Sequence, residues 1–210
     1  MRKLAWVAII LLSACASKPT PPSWQQNAHD SLGAFTDAYL AGDSAAASVE
    51  FARARSDTAS TGRPDLVAQV ELVRCAAQVA SLVFDGCPGF AALAPDATPA
   101  QRAYAAYLSG NWQGLQPGLL PEQHRSVVAN GSLAAVGDPL ARMVAAGALF
   151  KAERITPADI GKAIDTASGQ GWRRPLLMWL GVAAKRAEAA GDTAALAQIR
   201  RRIELASGER

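Results

Sequence analysis

The stretch PDLVAQVELVRCAAQVASL, Pro64 to Leu82, decides the fold. Leu66, Val70, Val73, Ala77 and Ala80 recur at three- and four-residue steps, the period of an α-helix and not of a strand. Val67, Leu72 and Val79 widen that stripe, and a stripe so broad predicts a central, largely buried helix. Pro64 suits the first helical position, where a missing N–H costs nothing.

Cys75 lies inside this helix, and its pairing depends on where the helix stops. Each further helical residue carries the chain about 1.5 Å away. A helix ending near Leu82 lets an extended return through Phe84, Asp85 and Gly86 bring Cys87 within disulfide reach. A helix running on to Asp85 would forbid the bridge. Gly86 and Pro88 mark a turn at the right place, so a Cys75–Cys87 disulfide is expected, contributing roughly 3 kcal/mol in the chain-entropy model. The alternative is two unpaired thiols, with Cys75 a small core residue. The spacing is not Cys-x-x-Cys, which argues against a redox-active pair.

The same reading extends outward in both directions. Ser23-Trp24-Gln25-Gln26 has the form of a capping box, opening a helix to Leu40 that buries Leu32, Phe35 and Tyr39. Gly42 stops it, and Asp43 caps a second helix through about Asp57. Beyond a Gly- and Pro-rich loop from Phe84 to Ala97, Thr98-Pro99-Ala100-Gln101 starts a helix through Tyr104, Tyr107 and Leu108. A short helix runs from near Pro121 to Gly131, and Asp138-Pro139 and Thr156-Pro157-Ala158-Asp159 start two more. The last of these, stapled by Ile155 and Ile160, is expected to end at Gly169. Pro175 opens a helix carrying Leu176, Trp179, Leu180, Ala183 and Ala187 to Gly191. Asp192 then caps a final helix that buries Leu196, Ile199 and Ile203.

Half of the 210 residues are hydrophobic but only 6% are aromatic. So Ala-rich a chain, with few β-branched runs, favours close-packed helices. The expected class is all-α, built of antiparallel helical hairpins with no strand. Ala47, Phe51 and Ala54, at their offsets from Gly42, are similar to the second-helix half of a tetratricopeptide repeat. The first-helix half departs from that pattern, with Ser31, Ala34 and Phe35 where Trp, Leu and Gly are expected. Gly-Asp or Gly-Asn turns fall at Gly42, Gly110 and Gly191. The first interval is twice the repeat period of about 34 residues and the second is not. A tetratricopeptide-like array and an irregular helical bundle both remain open.

At the other end of the chain, Arg2 and Lys3 precede the apolar run Leu4 to Leu12 and then small residues. That order is a secretory signal, too short to span a membrane. Leu12-Ser13-Ala14-Cys15 closely resembles the lipobox of bacterial lipoproteins. The resemblance implies cleavage after Ala14, acylation of Cys15 and anchoring through two or three acyl chains, at about 0.8 kcal/mol per buried methylene. Ala16 is not the Asp that commonly retains such proteins in the inner membrane, so the outer membrane is implied, with the body facing the periplasm. The expected organisation is a signal peptide at 1–14, a lipidated Cys and Pro-rich tether at 15–22, and one helical domain at 23–210. Loss of Arg2 and Lys3 lowers the formal charge from +3 to +1, which leaves no electrostatic footprint for nucleic acid.

Sequence motifs for catalysis are poorly supported. Gly42-Asp43-Ser44 has the letters of the nucleophile block of GDS-type lipases and esterases. That block follows a strand and needs a later Asp-x-x-His, whereas here a helix precedes it and neither His29 nor His124 has the partner. Helix capping explains it better. Neither histidine has the spacing of a paired metal ligand, and both are expected at the surface or the core boundary. Arg200, Arg201 and Arg202 suit a helix C-terminus, and Trp172-Arg173-Arg174 reads as a loop anchor or a recognition patch. The expectation is a lipid-anchored helical scaffold or binding lipoprotein that partners an envelope protein and assists assembly of an envelope complex. No catalytic residue, metal, cofactor or small-molecule ligand is expected, and the binding residues are unassigned. The alternative is a cell-wall- or lipid-acting enzyme whose carboxylates meet only in the fold. A deep pocket holding two carboxylates would favour the enzyme; a groove lined by Tyr104, Tyr107 and Trp residues would favour the scaffold.

Overall fold

The computed structural model describes residues 21–208, so the signal segment and the Leu12-Ser13-Ala14-Cys15 motif lie outside the described residues. Among these residues the chain is all-α and contains no strand. Its helices are α1 (Ser23–Ala41), α2 (Ser44–Ala59), α3 (Pro64–Ala80), α4 (Pro88–Ala91), α5 (Pro99–Leu108), α6 (Glu122–Asn130), α7 (Pro139–Lys151), α8 (Pro157–Gln170), α9 (Arg173–Ala189) and α10 (Thr193–Ser207). Short 3-10 turns lie at Ala94–Asp96 and Pro117–Leu119.

Most helix starts are built by the residues that announce them. Asp43, Asp138 and Asp192 each accept the backbone N–H three residues on, from Ala46, Ala141 and Ala195 at 2.7–2.9 Å. Thr98 with Gln101, and Thr156 with Asp159, close full capping boxes. Each such cap contributes about 1 kcal/mol. Four local expectations are corrected. Ser23 is already helical and Pro22 is the cap, while the Gln26 amide donates to Asp30 Oδ1 at 2.8 Å. α8 ends at Gly171, not Gly169, because the left-handed turn with φ 69° is at Gly171. α9 begins at Arg173, with Pro175 in its first turn, where backbone N–H groups are unpaired in any helix. Leu196, Ile199 and Ile203 of α10 are only half-buried, because α10 packs chiefly on α9.

α3 is the middle of the structure, packed by α1, α2, α5 and α7. Its burial extends right round the helix, from Val67, Ala68 and Val70 to Leu72, Cys75, Ala77, Val79 and Ala80. α7 approaches it closely because Ala145, Ala146 and Ala148 are small and Gly147 places bare backbone against Val79. Trp179 of α9, fully buried, donates its indole N–H to the Ala80 carbonyl at 3.2 Å and so satisfies the end of α3. Contacts between α3 and α7, and between α1 and α9, bring together elements far apart in sequence. In a simple solenoid each repeat meets only its neighbours; here α9 of the last hairpin returns to pack on α1 of the first.

α1 and α2 form a hairpin with a small core of their own. Phe35 and Ala47 are buried with Ala77 of α3, and the Phe35 and Phe51 rings lie 5.4 Å apart. Ala47 and Ala54 are buried and Phe51 is half-buried.

Cys75 and Cys87 are joined in a disulfide, with Cα atoms 5.6 Å apart. α3 stops at Ala80, and Leu82 takes a positive φ of 57° that turns the chain back. The loop beyond is partly helical, as α4 and the Ala94–Asp96 turn. Gly89 of α4 lies on the carboxylate of Glu71, which is itself 3% exposed. Arg55 Nε and Arg74 Nη2 pair with that carboxylate at 3.0 and 2.8 Å. The Arg74 guanidinium also stands 4.8 Å from the Phe51 ring centre.

Candidate functional site

A cavity of about 680 Å³ opens between α3, α5, α6 and α7. Its floor is the outer side of α3, with Leu72, Val73, Ala76 and Ala77. Ala100 and Tyr104 of α5 form one wall, and Leu140, Ala141 and Val144 of α7 another. Leu119, Leu120 and Pro121, leading into α6, close the end together with His124. A volume in this range is that of a site for a small organic ligand.

The short α6 matters because it carries His124 inward. That side chain is 2% exposed, buried far more deeply than a surface or boundary histidine. The Tyr107 hydroxyl lies 3.2 Å from His124 Nδ1. Tyr104 and Tyr107, one helical turn apart on α5, flank the imidazole with ring centres 5.6 and 5.0 Å away. Trp112 stacks on Tyr107 at 5.3 Å and donates its N–H to the Tyr107 carbonyl. Arg154 covers the far side of Trp112 at 5.2 Å. The cavity is thus backed by a rigid aromatic row.

Burial sets the protonation of this row. It pushes His124 down to about 4, against a smaller opposing pull from Asp138, so the imidazole is neutral at pH 7. It pushes both tyrosine hydroxyls well above their ordinary value of 10, and they stay protonated. The charged residues of the lining, Arg125 and Asp138, are both exposed. Arg125 Nε donates to the Leu120 carbonyl, and Asp138 Oδ1 is engaged in capping α7. Asp138 is the one carboxylate among the residues lining the cavity.

The other residues singled out by the sequence lie away from this site. Ser44 Oγ accepts from Arg174 Nη2 at 2.7 Å, beside the cap formed by Asp43. Arg174 also donates through Nε to the Tyr39 carbonyl at 2.6 Å and lies over the Tyr39 ring at 4.3 Å. Trp172-Arg173-Arg174 is therefore an anchor that ties α9 to the α1–α2 turn. His29 is exposed on α1, and Arg200 and Arg201 are exposed on α10. The disulfide borders a separate cavity of about 320 Å³ with Phe84 and Lys151. The sequence places Tyr104 with Tyr107 but not with His124, since nothing in the spacing between α5 and α6 marks them as neighbours. No group of His, Cys, Asp and Glu side chains among the described residues is arranged to hold a metal ion. None of their helices is long and apolar enough to cross a membrane. No protein-family model, curated protein or solved structure matches the chain.

Proposed function

We propose that this protein is a lipid-anchored, periplasm-facing binding protein of the bacterial outer membrane. Its α3–α5–α6–α7 cavity is the working site through which it holds a component of an envelope assembly. The observation that carries the binding role is the cavity itself. It is large and mainly apolar, and its lining carries the uncharged His124 imidazole and the protonated Tyr104 phenol. Such groups bind and orient. A carboxylate-based hydrolase needs two carboxyl groups at the reacting centre, and this lining supplies one, already engaged as a helix cap. The anchor rests on the lipobox resemblance at Leu12-Ser13-Ala14-Cys15. The Cys75–Cys87 disulfide accords with an oxidising compartment.

The test is affinity purification of the full-length protein from membranes of its own cells, with mass spectrometry of the acylated N-terminal peptide and of co-purifying proteins. Cys15→Ala should abolish acylation and release the protein from the membrane fraction. Ala100→Trp places a large ring at an exposed position on the cavity wall, and it should leave folding intact and remove the specific partner. A partner retained at wild-type stoichiometry by Ala100→Trp would overturn the assignment of the cavity as the working site.

A further inference from the structure

His124 has a feature that the aromatic row does not use. Its Nδ1 is engaged by Tyr107, whose hydroxyl has no other partner among the described residues. Were the phenol to accept from Nδ1–H, its own buried O–H would be left without an acceptor; the arrangement that satisfies it has the phenol donating and the imidazole proton on Nε2. No hydrogen bond engages that N–H, although the residue is 98% buried and lines the cavity. The Tyr104 hydroxyl, on the same wall, also makes no hydrogen bond among the described residues. Both groups can donate, and neither polar atom is fully enclosed by protein, so each is open to a ligand in the cavity. The α3–α7 side of the lining is aliphatic, with Leu72, Val73, Ala76, Leu140 and Val144, while Gln69, Gln101 and Gln123 add neutral polar groups elsewhere on the wall.

These features define a ligand by its chemistry. It must bring an oxygen acceptor to the His124 end and an extended apolar body to the α3–α7 side. It should carry no net charge at that oxygen, because the imidazole facing it is neutral and both charged lining residues are exposed. A carboxylate would be stripped of water without a buried counter-charge. An ester or amide carbonyl on an alkyl chain meets every condition. We propose that the cavity is a site for an uncharged acyl ester or amide, whose chain lies on Leu72, Val73 and Val144 and whose carbonyl oxygen accepts from His124 Nε2–H, with the Tyr104 hydroxyl as the second donor. This deepens the binding role proposed above and rests on the cavity being its working site. Acyl esters of lipids and acyl amides of acylated peptides share this chemistry, and the experiment separates them.

The full-length chain held in amphipol is titrated with methyl octanoate, an N-octanoyl dipeptide amide, octanoate and octane. Binding is read by ¹⁵N correlation of the imidazole groups. The protein has two histidines, so exposed His29 serves as the internal reference. Methyl octanoate, the octanoyl peptide or both should shift the His124 Nε2 signal at saturation and leave His29 unmoved. Whichever binds more tightly identifies the source. Octane and octanoate should each bind roughly tenfold more weakly, the difference expected for one well-made hydrogen bond or one uncompensated charge. His124→Phe should sharply reduce the preference for ester over octane while octane still binds, which separates loss of the donor from loss of the fold. Tyr104→Phe should reduce that preference. Equal binding of ester and octane, tightest binding of octanoate, an unchanged preference in His124→Phe, or no binding of any probe would overturn the proposal. Partner capture with Ala100→Trp is read independently, so this inference can fail while the binding role stands.

Discussion

Gly147 of α7 lies against the Val79 carbonyl of α3 so closely that a methyl group at 147 would overlap the carbonyl carbon and oxygen. The two central helices are held at that separation by the absence of one side chain. Gly147→Ala should therefore force them apart and destabilise the protein by about 2 kcal/mol or more, despite the better helix propensity of Ala. Gly161, on α8, has open space where its Cβ would be. Gly161→Ala should stabilise by about 0.5–1 kcal/mol. Urea denaturation of the two variants should move in opposite directions from wild type.

The buried His124 makes stability depend on pH. Its folded value is about 4 against 6.5 for the free side chain, so the unfolded chain takes up a proton between those values and the folded chain does not. Stability is fully present above about pH 6.5 and falls as pH drops toward 4, by about 3 kcal/mol at the limit of linkage theory. His124→Phe should flatten that part of the stability–pH curve. A variant curve parallel to wild type between pH 6.5 and 4.5 would show that His124 does not carry the dependence.

Glu71 is a charge that cannot be dispensed with on its own. Its carboxylate is enclosed by Arg55, Arg74 and the backbone of Gly89. Glu71→Gln keeps the shape but leaves the guanidinium groups without an anion, at an expected cost of about 2–4 kcal/mol. Glu50 and Arg53 also pair, at 2.7 Å, but on the surface, with the Arg53 side chain 64% exposed. Arg53→Ala should change stability by less than about 0.5 kcal/mol. Thermal unfolding of both variants is the check.

Loss of the Arg174 anchor should be felt at a distance. Arg174→Met removes its hydrogen bonds to the Tyr39 carbonyl and Ser44. Amide exchange should accelerate at the α1–α2 turn, with a stability loss of about 1–2 kcal/mol. Acceleration spread evenly over the whole chain would show that the contact is not local to that turn.

Local chemistry was legible in the sequence wherever one short segment contains both partners. The boxes at Thr98–Gln101 and Thr156–Asp159, the Asp caps and the reach from Cys75 to Cys87 all fall in this class. Ser23 misled because a proline directly before it took the boundary position, and Asp30 captured the glutamine that would have closed the box. The α3 stripe foretold burial but not its completeness, since Glu71 reads as a solvent-facing break in the pattern until Arg55 arrives from α2. The cavity was not legible. Its donors come from α5 and α6 and its floor from α3, so its existence depends on inter-helix angles that no periodicity encodes.

The Trp179–Ala80 hydrogen bond has a consequence for the order of assembly. The Ala80 carbonyl at the end of α3 waits for a residue 99 positions later, and the Tyr39 carbonyl, already bonded to the Gly42 N–H, gains a second donor from Arg174, 135 positions later. During synthesis from the N-terminus, the α1–α2 hairpin and the central helix would emerge before either of these long-range bonds can form, and the arrival of α9 supplies both donors. Such long-range closure slows folding relative to a helical array of purely local contacts. A chain stopped after α8 would hold its cavity-forming helices but lack the clasp, making α9 and α10 the lock on structure laid down before them.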